Sequence, residues 1–287
     1  MTAGSSTNAD RNLSAAPYIR TQIACARTWA GCERVASLLE LPGLLAWVHS
    51  MPAGLSEVGG DVHYVSVCPC CVVSRVALAD VSGHGEAVST LAGELRQLMQ
   101  RYLPELEHDG LMRDLNQAVQ GGLDGVHYAT MVAVGWHNER NSLLLANAGH
   151  PIPCVFKAKR KEWTWLEINP EPRRPWPVGV PLGLFACADY DKTAVKLQAG
   201  DLVLLYSDGV TESTNPAGDE LGPDGLMNLV RQLDCLSAEG LGVQLTSALR
   251  GFRGGAEADD DETIIVLERV STDSDQPLCK RTRRRVL

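Results

Sequence analysis

Between Ala129 and Tyr206 the chain contains short apolar runs separated by turn residues, and no stretch of helical length in which apolar side chains recur with a helical period. The runs are Ala129 to Trp136, Ser142 to Ala146, Pro153 to Lys157, Trp163 to Ile168, Thr193 to Leu197 and Leu202 to Tyr206, the first two joined by the turn Asn138-Glu139-Arg140-Asn141. Parallel neighbours in a sheet need crossovers of roughly a dozen residues or more, usually helical, whereas antiparallel neighbours need only a turn. A doubly wound parallel sheet is therefore disfavoured, and a long antiparallel run is expected.

The flanking segments supply the other elements. Leu44 to Val48, Val62 to Val67 and Val72 to Ala79 read as strands, the last two a hairpin across Cys68-Pro69-Cys70-Cys71. In Glu86 to Leu103 the residues Val88, Leu91, Ala92, Leu95, Leu98, Met99 and Tyr102 have helical spacing, and Leu111 to Val119 continues as a second helix stopped by Gly121-Gly122. Leu226 to Leu233 and Leu241 to Leu249 predict two further helices, with Ser237 as an N-cap, and Thr263 to Val270 a final strand. Strands in runs with helices in pairs indicate an α+β fold built in layers. Residues 1–17 have the composition of a disordered leader. Residues 18–43 read as helical pieces, on the spacing of Ile23, Ala26, Trp29, Ala30, Val35, Leu38 and Leu39; 44–270 form the main domain, and 271–287 a basic, disordered tail.

A formal net charge of -9 argues against a nucleic-acid partner, because phosphate backbones demand a basic surface. No uninterrupted apolar run reaches the roughly 18 to 20 residues of a membrane helix, and the first residues lack the pattern of an export signal, so a cytoplasmic protein without membrane attachment is expected. The nine cysteines are an odd set, which speaks against a disulfide framework and for thiols. The Cys68-Pro69-Cys70-Cys71 turn lacks the paired spacing and the fourth ligand of a zinc site.

Chemistry is concentrated in four acidic stations at strand boundaries: Gly59-Gly60-Asp61, Ala79-Asp80-Val81-Ser82-Gly83-His84-Gly85, Ser207-Asp208-Gly209 and Asp260-Asp261-Glu262-Thr263. Asp80 and Asp208 each end an apolar strand, and the run Asp259 to Glu262 precedes one. Carboxylates gathered in one cleft repel one another unless hard divalent cations neutralise them. Oxygen-rich sites of this kind commonly handle phosphate.

The ordered set of these stations with Asn147-Ala148-Gly149-His150-Pro151, Pro181-Leu182-Gly183 and Tyr206-Ser207-Asp208-Gly209-Val210-Thr211-Glu212 resembles the metal-dependent protein phosphatases of type 2C, in their bacterial SpoIIE-like branch. The likeness covers about Leu44 to Val270. It implies an antiparallel β-sandwich flanked by paired helices, four layers in all, with two Mn²⁺ or Mg²⁺ ions at one sheet end. By position, Asp80 would bridge both ions, Asp61 and the Val81 carbonyl would serve one, and Asp208 and Asp260 the other, with Asp261 a neighbour. The reaction implied is direct hydrolysis of phosphoserine or phosphothreonine by a metal-activated water. The partner implied is a phosphoprotein of a bacterial partner-switching circuit, typically an anti-sigma-factor antagonist.

In this family Gly-Gly-Asp is commonly followed, three residues on, by a second Asp, and here that position is Tyr64. The substitution supports an alternative reading, a catalytically weak pseudophosphatase that binds partners without turnover. His84 and His150 fit structural roles better than catalytic ones.

Overall fold

The computed structural model describes residues 19–54, 56–83, 86–105, 110–122, 127–166, 179–234 and 237–271. The leader 1–17, the tail from 272 onwards and His84 lie outside the described residues.

Two sheets face each other. The first holds seven strands in the order β1 (Ile19–Gln22), β3 (Val35–Leu41), β4 (Leu44–Met51), β13 (Glu262–Arg269), β12 (Leu202–Tyr206), β9 (Cys154–Lys157) and β10 (Glu162–Trp165). The second holds six, in the order β11 (Lys192–Lys196), β8 (Ser142–Ala148), β7 (Ala129–His137), β6 (Val73–Val81), β5 (Val58–Val67) and β2 (Thr28–Glu33). Every pairing between these strands is antiparallel except β1 with β3 at one edge. The expected hairpin is the β5–β6 pair, closed by the Cys68 N–H donating to the Val73 carbonyl at 2.9 Å.

Side-chain alternation divides the interior into three apolar layers. Between the sheets, Val48 of β4 and Ile265 of β13 meet Val65 of β5, Leu78 of β6 and Trp136 of β7. Helices α1 (Glu86–Tyr102) and α2 (Leu111–Gly122) cover the outer face of the six-stranded sheet, where Leu95, Met99 and Leu115 pack on Val62, Tyr64 and Ala79. Helices α4 (Gly222–Gln232) and α5 (Ala238–Phe252) cover the other sheet, with Leu226, Leu241 and Leu245 on Trp47, Tyr206 and Ile264. The architecture is the four-layer α+β sandwich expected. Ser237 caps α5, its side chain accepting from the Gly240 N–H at 3.1 Å.

Residues 18–43 correct the helical expectation. The segment forms β1, β2 and β3, which join both sheets, so the domain does not begin at Leu44. Strand β3 lies inside a sheet covered on both faces: Leu38 enters the helix-side layer, and Leu39 and Leu41 the layer between the sheets. A strand buried on both sides shows a continuous apolar run, which periodicity alone does not separate from a helical turn. The cysteines also differ in one respect: Cys25 and Cys71 form a disulfide with Cα atoms 5.4 Å apart. Cys32, Cys68, Cys70, Cys154 and Cys187 are free.

Candidate metal centre

The acidic stations meet at one end of the sandwich. Asp61 on β5 stands opposite Asp80 on β6 in the antiparallel register, and both share the strand face that carries Val65 and Leu78 into the layer between the sheets. At Gly60, a Cβ would lie 3.4 Å from both an Asp80 carboxylate oxygen and the Val81 carbonyl, so these two oxygens flank one spot. From the facing sheet, β12 ends at Tyr206 and a short helical turn, α3 (Asp208–Thr211), opens on Asp208. Ser207 ties this turn to the start of β13: its hydroxyl accepts from the Thr263 N–H at 2.9 Å and donates to the Asp261 carbonyl at 3.2 Å. Gly209 lets the chains approach, because any Cβ there would collide with the Asp261 carbonyl.

The electrostatics follow from crowding. Asp61 is 2% exposed and neither carboxylate oxygen has a hydrogen-bond partner. Burial, then Asp80, raises its pKa well above the ordinary range, and the nearby Thr263 and Ser207 hydroxyls oppose this only in part. Asp80 is pushed up to about 7 by burial, then by the charges of Asp208 and Asp260, with Asp261 and Glu212 adding to them. Asp208 is raised by burial and by Asp260. Glu212 is raised by burial and then by Asp208 and Asp260. Asp260 is exposed, and its Oδ1 accepts the Asp261 N–H at 2.8 Å.

Thus Asp61, Asp80, Asp208 and Asp260 belong to one electrostatic cluster. Among the described residues no three His, Cys, Asp or Glu side chains are already drawn into a closed ligand set. Two unpartnered, buried carboxylate oxygens beside further mutually repelling carboxylates and a backbone carbonyl are nevertheless the donor chemistry that suits hard divalent cations. The residues present fit such ions.

Asp261 is an anchor. It accepts the Ala53 N–H at 2.7 Å, the Gly60 N–H at 2.5 Å and, more distantly, the Asp61 N–H at 3.4 Å, fastening the start of β13 to the start of β5 across the sandwich. Glu212 received no role from the sequence. Its signal was its place four residues after Asp208, one helical turn on, where its N–H donates to the Asp208 carbonyl at 2.8 Å. His150 is buried: its Nδ1 shares a hydrogen bond with Thr130 Oγ1 at 2.8 Å, its backbone exchanges bonds with the Asn147 amide, and burial pushes its pKa down to about 3. Tyr64 is fully buried in the layer under α1 and α2, on the opposite face of β5 from Asp61. The Cys68 and Cys70 sulfurs lie 2.9 Å apart in the hairpin turn, away from the acidic cluster at the other end of the same strands.

The two helix-covered sheets with carboxylates at one end define a domain of the type 2C protein phosphatase fold. It is similar to the PP2C phosphatase domain of SpoIIE from Bacillus subtilis, with a TM-score of 0.62 and 17% identity over 85% of this chain and 64% of that one. A comparable likeness, TM-score 0.65 and 20% identity over 82% of this chain and 62% of the other, links it to the RsbU and RsbW domains of a Mycobacterium tuberculosis protein. Residues 73–270 match the family described as stage II sporulation protein E (SpoIIE), and the chain belongs to that family. It is 28% identical over 197 residues to the phosphoserine phosphatase RsbU of Bacillus subtilis, covering 68% of this chain and 55% of RsbU. The chain spans about half the length of the curated relatives it matches. Among the described residues no helix is long and apolar enough to cross a membrane.

Proposed function

We propose that the chain is a metal-dependent serine/threonine phosphoprotein phosphatase, cytoplasmic, acting on a phosphoprotein of a bacterial partner-switching circuit such as an anti-sigma-factor antagonist. The observation that carries this reading is the Asp61–Asp80 pair, set opposite each other with both Asp61 oxygens buried and unpartnered. In this reading Asp61, Asp80, the Val81 carbonyl, Asp208 and Asp260 would hold the Mn²⁺ or Mg²⁺ ions. Bound ions supply the Lewis-acid charge and the acidified water that hydrolysis of a phosphate monoester requires.

The protein's own contribution is placement. Asp80 and Asp208 come from different sheets, so the sandwich sets their separation. Asp261 holds β5 against β13 and fixes Asp61 relative to Asp260, and Ser207 holds the Asp208 turn against Thr263. Cation binding requires the raised carboxyls to release protons, which makes affinity rise with pH. The relatedness to RsbU, a phosphoserine phosphatase, supports the substrate class. Tyr64 lies on the face of β5 away from this cluster, so the substitution does not reach the surroundings of Asp61.

Phosphate release from a phosphoserine peptide and from an aryl phosphate, with Mn²⁺, with chelator and in Asp80→Asn and Asp208→Asn, tests the proposal. Manganese-dependent turnover abolished in both variants is expected. Absence of turnover with retained partner binding would favour the pseudophosphatase.

A further inference from the structure

A cavity of about 530 Å³ opens on the helix side of the seven-stranded sheet, between the ends of β4 and α5 and the loop leading to β13. It adjoins the acidic cluster through two chain neighbours. Glu262, in its wall, follows Asp261, and Pro52 precedes Ala53, whose N–H is held by Asp261. Its chemistry is the opposite of the cluster's: Arg34, Arg250, Arg253 and His49 all line it.

The internal charges are partly matched. Glu262 is 3% exposed, and Arg253, whose Nη1 is 2.5 Å from it, is 9% exposed, so this pair is spent in the wall. His49 lies 3.8 Å from Glu262 and stacks on Trp47 at a 6° interplanar angle. Burial pushes the His49 imidazole below its ordinary range, Glu262 opposes this, and the Arg34 and Arg253 guanidiniums push the same way as burial. The remaining acid in the lining is Glu257, exposed in the loop. Arg34 and Arg250 are exposed, and among the described residues neither has a carboxylate within salt-bridge range. Arg250 sits in the last turn of α5, where a cation suits the helix end, but Arg34, between β2 and β3, has no such account.

We propose that this cavity is a docking subsite for an acidic segment of the phosphoprotein substrate, with Arg34 and Arg250 as the recognising forks. Guanidinium groups pair bidentately with carboxylates, and a cavity of several hundred cubic ångströms accommodates two or three acidic side chains of an extended segment. On a chain whose net charge is -9, such a patch orients an anionic partner. Its continuity with the acidic cluster places the segment beside the phosphorylated residue. The identity of the segment as substrate rests on the phosphatase reading above, and the existence of the subsite does not.

The test uses the full chain and the Arg34→Glu/Arg250→Glu variant, with Arg34→Gln/Arg250→Gln as a milder second variant. Kinetics are compared for a phosphoserine peptide flanked by glutamates, the same peptide flanked by glutamines, and an aryl phosphate. Binding of a fluorescent, unphosphorylated glutamate-rich peptide is measured by anisotropy. The wild type should prefer the acidic peptide, and the charge-reversed variant should raise KM for it about tenfold while leaving kcat and aryl phosphate turnover unchanged. The glutamine variant should fall between the two, and added salt should erase the preference. Equal use of both peptides by the wild type, or an equal KM change for both peptides in the variant, overturns the proposal, as does binding of inorganic phosphate at Arg34 and Arg250 with no binding of the acidic peptide. If nothing is hydrolysed but the acidic peptide binds the wild type and not the variant, docking stands and the hydrolase reading falls.

Discussion

Replacing Asp80 by Asn should stabilise the metal-free protein, and only towards alkaline pH. The Asp80 carboxyl has an ordinary value of 3.8 and is pushed up to about 7 in the fold. Below the lower value the group is protonated in both states and carries no penalty. Between the two, the unfolded chain releases a proton that the folded chain keeps, so stability falls as pH rises. Above about 7 both states are ionised and the full penalty remains, about 4 kcal/mol from 1.36 kcal/mol per pH unit over this interval. Asn carries no charge to desolvate and none to repel Asp208 and Asp260. Urea unfolding in chelator should therefore show wild type and variant alike at about pH 4, with the variant ahead by about 4 kcal/mol at about pH 8. Excess Mn²⁺ should reverse the order at the higher pH, because only the wild type gains a ligand. Parallel loss of stability in both proteins across this range, or a variant weaker than wild type at high pH in chelator, would refute the reasoning.

Asp261→Ala should lose about 2 to 4 kcal/mol in denaturant unfolding even with chelator present, because it strips charge-assisted partners from the Ala53 and Gly60 N–H groups. A pure metal ligand would show no such loss in the absence of metal. Arg253→Met should cost about 3 to 5 kcal/mol by leaving Glu262 buried without its cation, and Arg253→Met/Glu262→Gln should recover part of that in the same assay. Gly209→Ala should abolish phosphate release while the protein stays folded by circular dichroism, because relieving the clash with the Asp261 carbonyl shifts the Asp208 turn.

Legibility from sequence followed exposure. Helix α1 ends within a residue of its expected bounds because only one of its faces meets the sheet, so its apolar period is clean. Strand β12 coincides with the run Leu202 to Tyr206, bounded by Gly200-Asp201 and Ser207-Asp208. Strand β5 starts four residues earlier than the apolar run suggested. Gly59-Gly60 reads as a turn, yet both glycines are buried in the strand, and a Cβ on Gly59 would run into the Asp261 carboxylate. The need for glycine there comes from a residue some two hundred positions away. In β3 burial on both faces erases alternation, whereas β1 is an exposed edge strand of four residues, too short to show a period. Asp80 and Asp208 are conspicuous in the sequence because each ends an apolar run at a glycine turn. The anchoring by Asp261 depends on contacts between sheets, which no local pattern carries.

Under the proposed function, carboxylates from both sheets would hold a pair of divalent ions. Crystals grown with Mn²⁺ and measured at the manganese absorption edge test it directly. Two anomalous peaks are expected, one beside Asp61, Asp80 and the Val81 carbonyl and one beside Asp208 and Asp260. Manganese bound elsewhere, or none at this end of the sandwich at saturating concentration, would contradict it.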